Sequence, residues 1–229
     1  MPRPKTVTID LSNTCTLECE KCRRQDYRSR NHPPGGLRGK NMSLDDFDKV
    51  IEYFENISVC GQVSDPIFNP WFHEMAARAY KKGKHFHVAT AATSKKHDEE
   101  WYRKAFEAHP DAKWTFGIDG LPEESCMYRI NQDGEFLFEM AKLCAKMCAV
   151  SEWQYIVFSY NENHIEEAYK MAKENGIVFM LNISGRWNVG KPDMLKPKNE
   201  IFFKKRPEEW ETLAKLSRIQ EKKYQKIGN

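Results

Sequence analysis

The sequence predicts an α/β fold: a partial (β/α)6 barrel of the TIM type with a C-terminal helical tail. Six short runs rich in β-branched and aromatic residues alternate with helix-period segments along the chain. That order belongs to a parallel sheet with right-handed crossovers. No G-x-G-x-x-G or P-loop follows the first strand, which disfavours a nucleotide-binding doubly wound sheet. The 229 residues suffice for one sizeable core but not comfortably for two. The barrel is therefore assigned to 1–190 and a charged tail to 191–229.

Thr6 to Leu11 alternates β-branched and polar residues and runs into Ser12-Asn13-Thr14, a strand entering a loop. Met42 to Glu55 places Leu44, Phe47, Val50, Ile51 and Phe54 on one helical face, with Ser43 as N-cap and Asp45 and Asp46 in the first turn. Ile57 to Gly61 is a short buried strand. The alternation then repeats: helix Pro70 to Lys82, strand His85 to Thr90, helix Asp98 to Ala108, strand Lys113 to Ile118, helix Gly134 to Ala149. Strand Trp153 to Ser159, helix Asn163 to Asn175 and strand Ile177 to Ile183 complete it. In the tail, Trp210, Leu213, Leu216 and Tyr224 stand at near-helical spacing between charges, the pattern of an amphipathic helix that packs on the barrel or docks a partner.

A net charge of +3 does not by itself argue for nucleic acid. Lys21, Arg23, Arg24, Arg28, Arg30, Arg38 and Lys40 do crowd one loop region, where a solvated loop is favoured over a phosphate-binding surface. No apolar run has membrane-span length, and the N-terminus enters a strand-like segment rather than a signal-peptide core. The expectation is a cytoplasmic protein without membrane contact. Seven cysteines is an odd count, and in a reducing compartment such thiols bind metal or sit in the core. Cys144 and Cys148, one turn apart among Met140, Leu143 and Met147, read as core thiols; Cys60 ends the second strand near the active face.

Cys15-Thr16-Leu17-Glu18-Cys19-Glu20-Lys21-Cys22 follows the first strand with C-x3-C-x2-C spacing. A cubane iron–sulfur cluster takes four ligands, so three local thiolates leave one iron open to a substrate or cofactor. The competing reading is a zinc knuckle completed by a histidine such as His32, the mark of a non-catalytic zinc-binding or adaptor module.

The cysteine motif, in this position, resembles that of the radical S-adenosylmethionine (SAM) superfamily. The resemblance implies a [4Fe–4S] cluster on Cys15, Cys19 and Cys22, with SAM chelating the fourth iron. Reduction then gives methionine and a 5′-deoxyadenosyl radical that abstracts hydrogen from an organic substrate. Gly61-Gln62-Val63-Ser64-Asp65-Pro66 is similar to the superfamily's Gly-Glu-Pro segment, and Gly117-Ile118-Asp119-Gly120 followed by Tyr128-Arg129 is similar to the peptide-modifying (SPASM/Twitch) branch. So are Trp153-Gln154-Tyr155-Ile156-Val157-Phe158 and Asn182-Ile183-Ser184-Gly185-Arg186. The cofactor contacts so implied are Ser64, Asp65, Pro66, Thr90, Asp119, Arg129, Gln154 and Ser184. No cysteine follows Cys148, so the branch's auxiliary-cluster extension is not expected. An electron donor such as a flavodoxin or ferredoxin is implied as partner. The substrate class is left open between a peptide or protein and, through the basic loop, a nucleotide or nucleic acid.

Overall fold

The computed structural model describes residues 5–25, 39–187 and 192–202. Its frame is a six-stranded, all-parallel sheet in the order β1-β2-β3-β4-β5-β6: β1 (Thr6–Ile9), β2 (Asn56–Cys60), β3 (His85–Thr90), β4 (Lys113–Gly117), β5 (Val150–Val157) and β6 (Val178–Ile183). Every strand pairs with its neighbour in sequence, so the sheet never reverses direction. That is the winding of a barrel; a doubly wound sheet has a switch point. The connections carry α1 (Leu44–Tyr53), α2 (Phe72–Lys81), α3 (Glu99–Ala108), α4 (Gly134–Met147) and α5 (Ile165–Glu174). Among the described residues no helix is long and apolar enough to cross a membrane.

Local chemistry explains most of the boundaries. Ser43, Asp98 and Asp133 cap α1, α3 and α4 by accepting from the amides of Asp46, Trp101 and Phe136. Gly83 and Gly176 follow α2 and α5 at φ 62° and 70°, the left-handed region that ends helices at little cost when the residue is glycine. β5 begins at Val150, earlier than the expected Trp153. The reason is the tilt of polarity across the sheet. Outward residues such as Val88, Trp114, Phe116, Trp153 and Tyr155 form the core against the helices, whereas the inward face is polar.

On that inward face Ser58 Oγ meets His87 Nδ1 at 3.0 Å, His87 Nε2 meets Thr115 Oγ1 at 2.8 Å, and Thr115 donates to Glu152 at 2.8 Å. Lys113 closes the chain at 2.6 Å from Glu152. Thr115 spends its one proton on the carboxylate, so His87 Nε2 is the donor to Thr115 and Nδ1 accepts from Ser58. This layer fills the barrel beneath the strand ends.

Residues 192–202 pack on the barrel beyond the expected boundary at 190. Ser159 N donates to Leu195 O at 3.0 Å, Glu162 accepts from the amides of Lys198 and Asn199, and Phe202 is buried in the main core. The expected amphipathic helix at Trp210–Tyr224, together with His32, lies outside the described residues.

Candidate functional site

The cysteine loop lies across the C-terminal ends of the strands, the face on which parallel barrels build their sites. Three neighbouring connections hold it there. Asp65 N donates to Thr14 O at 2.9 Å, Thr16 Oγ1 to Thr93 O at 3.1 Å, and Glu18 N to Ile130 O at 3.1 Å. Within the loop Cys22 N donates to Cys19 O and Gln25 N to Cys22 O, a tightening turn that leads into helical residues at 23–25.

Cys15, Cys19 and Cys22 line one cavity of about 200 Å³, together with Cys60, Ser64, Asp65, Thr90, Thr115, Gly117, Arg129 and Gln154. Burial pushes the Cys15 thiol up to about 12, with Asp65 adding to the effect. Burial raises Cys19 too, while the Arg129 guanidinium pulls it back. Thiols so raised are held protonated, and a thiolate-binding metal must displace those protons. Among the described residues, no three Cys, His, Asp or Glu side chains close on one point as a mononuclear metal site requires. Three cysteines around one cavity are a donor set that a cubane could take, with each thiolate at a separate iron.

Of the residues the resemblance implied, Ser64, Asp65, Thr90, Arg129 and Gln154 line this cavity, and Pro66, Asp119 and Ser184 do not. Asp119 is fully buried. Its carboxylate accepts from Arg129 Nε at 2.7 Å and from Ile156 N at 2.8 Å, so both oxygens are committed within the protein. Burial pushes the Asp119 carboxyl up and Arg129 draws it back; burial pulls Arg129 down, and Asp119 more than offsets this and holds it above its ordinary range. A Cβ on Gly117 would sit 3.1 Å from Arg129 Nη2, so the bare backbone of β4's last residue is what lets the guanidinium reach the cavity. Pro66 opens the short helical turn that Asp65 caps, and Ser184 Oγ accepts from Arg186 N at 3.1 Å.

Asp65, implied above as a cofactor contact, has both carboxylate oxygens committed within the protein. It is 4% exposed, and its oxygens accept from Thr90 Oγ1, Ala91 N, Ala92 N and Ile67 N at 2.8, 2.9, 2.9 and 3.3 Å. Burial pushes its carboxyl up against these four donors. It clamps the β2 connection to the end of β3. Ser64 is held in turn by Asp10, whose Oδ1 accepts its hydroxyl at 3.0 Å.

Two further residues that no motif had marked bear on the site, Gln132 by bracing the strand ends beside the cavity and Arg24 by lining it. Gln132 donates to the carbonyls of Ala91 at 2.6 Å and Gly117 at 2.9 Å, joining the ends of β3 and β4. Arg24, counted above with the solvated basic loop, is instead 7% exposed and lines the cavity. Lys21 is likewise turned inward, 2.7 Å from a buried Asp193.

The architecture is one shared by known enzymes. No protein-family model and no curated protein matches the sequence. Solved structures match in fold. Streptococcus suis SuiB superposes with a TM-score of 0.67 over 93% of this chain at 12% identity, and SuiB bound to S-adenosylmethionine with 0.66 over 94% at 13%. Methylornithine synthase (PylB) gives 0.63 over 94% at 10% identity. The chain spans 46% and 48% of these SuiB chains and 62% of PylB. The fold is thus similar to that of the radical SAM enzymes SuiB and PylB.

Proposed function

We propose that the chain is a radical SAM enzyme, with a [4Fe–4S] cluster held by Cys15, Cys19 and Cys22 and SAM bound in the adjoining cavity. The observation that carries this reading is the convergence of all three cysteines of the C-x3-C-x2-C loop on one cavity at the C-terminal face of a parallel barrel. The bound cluster, once reduced, supplies the electron that splits SAM into methionine and a 5′-deoxyadenosyl radical.

The chain's own residues bind and orient. Arg129, with Nε committed to Asp119, turns the rest of its fork toward the cavity, a geometry suited to a carboxylate. Gln154 and Thr90 present polar groups from β5 and β3. The layer from Ser58 to Glu152 closes the floor, and the substrate is placed above it, against Cys60, Thr115 and Gln154.

The substrate we favour is a peptide or protein. SuiB, similar in fold, has been solved bound to its precursor peptide SuiA. The nucleotide alternative drew on the basic loop, and Lys21 of that loop is paired internally with Asp193. A small electron-transfer protein of the flavodoxin or ferredoxin kind is the proposed reductant, and the cytoplasm the proposed compartment.

Anaerobic reconstitution tests the metal centre. The reading expects about four irons and four sulfides per chain, lost when Cys15, Cys19 and Cys22 are replaced by alanine. Zinc bound without sulfide would contradict it.

A further inference from the structure

Three cations lie turned inward around the cysteine loop, and two of them have a buried acid of their own. Lys21 pairs with Asp193 and Arg129 with Asp119, each at 2.7 Å. Arg24 has none among the described residues. Its Nη1 donates to the carbonyls of Asn13 at 3.0 Å and Val63 at 2.8 Å, and its Nε is buried without a hydrogen-bond partner. The guanidinium keeps its proton at any working pH, so the charge stays in place. An unpaired charge this deep is strongly unfavourable until an anion arrives beside it. The open space next to it is the cavity that it lines with the three cysteines.

We infer that Arg24 is the built-in counter-charge of the anionic iron–sulfur cluster, favouring its assembly and raising its reduction potential. The inference rests on the radical SAM reading above and gives that site's metal centre a specific partner. Position separates the cluster from the other candidate anion, the carboxylate of SAM. Arg24 follows Cys22 by two residues, and its bond to Asn13 O reaches the residue two before Cys15. The guanidinium is therefore fixed to both ends of the cysteine loop. A cation there stabilises the reduced cluster, which carries one more negative charge, more than the oxidised one.

The test compares wild type, R24K and R24Q, each reconstituted anaerobically, by iron and sulfide content and by a redox titration followed by electron paramagnetic resonance, with and without SAM. R24K keeps the charge and is expected to stay within about threefold of the wild-type reduction equilibrium. R24Q is expected to be at least tenfold harder to reduce without SAM, about 59 mV for one electron. An R24Q chain that assembles no cluster while R24K does supports the same conclusion. An R24Q potential equal to wild type overturns it, as does an R24K that fails alongside R24Q, which would assign the role to the carbonyl contacts rather than the charge. An effect seen only with SAM overturns it in favour of the cofactor's carboxylate. A wild-type chain that holds no cluster overturns the radical SAM reading, and this inference with it.

Discussion

Replacing Asp65 with alanine removes one acceptor from four donors at once. Oδ2 takes the amides of Ala91 and Ala92, both at 2.9 Å, and Oδ1 takes Thr90 Oγ1 at 2.8 Å and Ile67 N at 3.3 Å. The Thr90 hydroxyl can rotate and the Ile67 bond is long, so the unavoidable loss is the two amides. A buried donor left unmet costs about 1–3 kcal/mol, which puts D65A at about 4 kcal/mol. D65N keeps the shape and one oxygen for the pair of amides, and its NH2 can donate to Thr90. It should lose about 1 kcal/mol, the difference between charged and neutral acceptors. Urea denaturation followed by far-ultraviolet circular dichroism reads both, as midpoint shifts at unchanged slope. A D65A cost below about 1 kcal/mol would refute the clamp; equal costs for the two variants would assign the effect to charge alone.

Other consequences are as specific. D119N strips the charge from the fully buried partner of this ion pair and leaves Arg129, 15% exposed at the cavity, without its acid, so it should destabilise by about 2–3 kcal/mol, below the cost for a fully buried pair, measured in the same way. G61A should weaken SAM binding at least about tenfold by calorimetry, because a Cβ there would lie 1.6 Å from the Ser64 carbonyl oxygen and the cavity-lining turn at 61–65 must move; unchanged affinity would remove this turn from the site. Burial holds His73, His87, His97 and His109 below the ordinary imidazole value. Below about pH 6.5 the unfolded chain takes up protons that the folded chain refuses. Stability should therefore fall as pH drops from 7 through that value, and a denaturation midpoint that rose over the same range would contradict it.

The fold was legible because each outward strand face is apolar and each helix keeps its period. Where the inward face turns polar, as at Glu152, the apolar signal fades, and β5 starts at Val150, ahead of the expected Trp153. The cysteines were legible because all three sit within one local motif. The bonds made by Arg24 and Lys21 were not, since Lys21 finds Asp193 172 residues away and a basic residue carries no mark of burial. Asp119 follows β4, but sequence does not say which way a carboxylate faces, and here it faces Arg129. Gln132 bridges two strand ends through its side chain alone, without a motif to announce it.

The most direct test of the central claim is the 5′-deoxyadenosine formed from SAM by the reduced, reconstituted protein. The account predicts its formation by the wild-type chain and its loss when Cys15, Cys19 and Cys22 are replaced by alanine. A fully assembled and reduced cluster that binds SAM yet yields no 5′-deoxyadenosine, with or without candidate peptides, would contradict it.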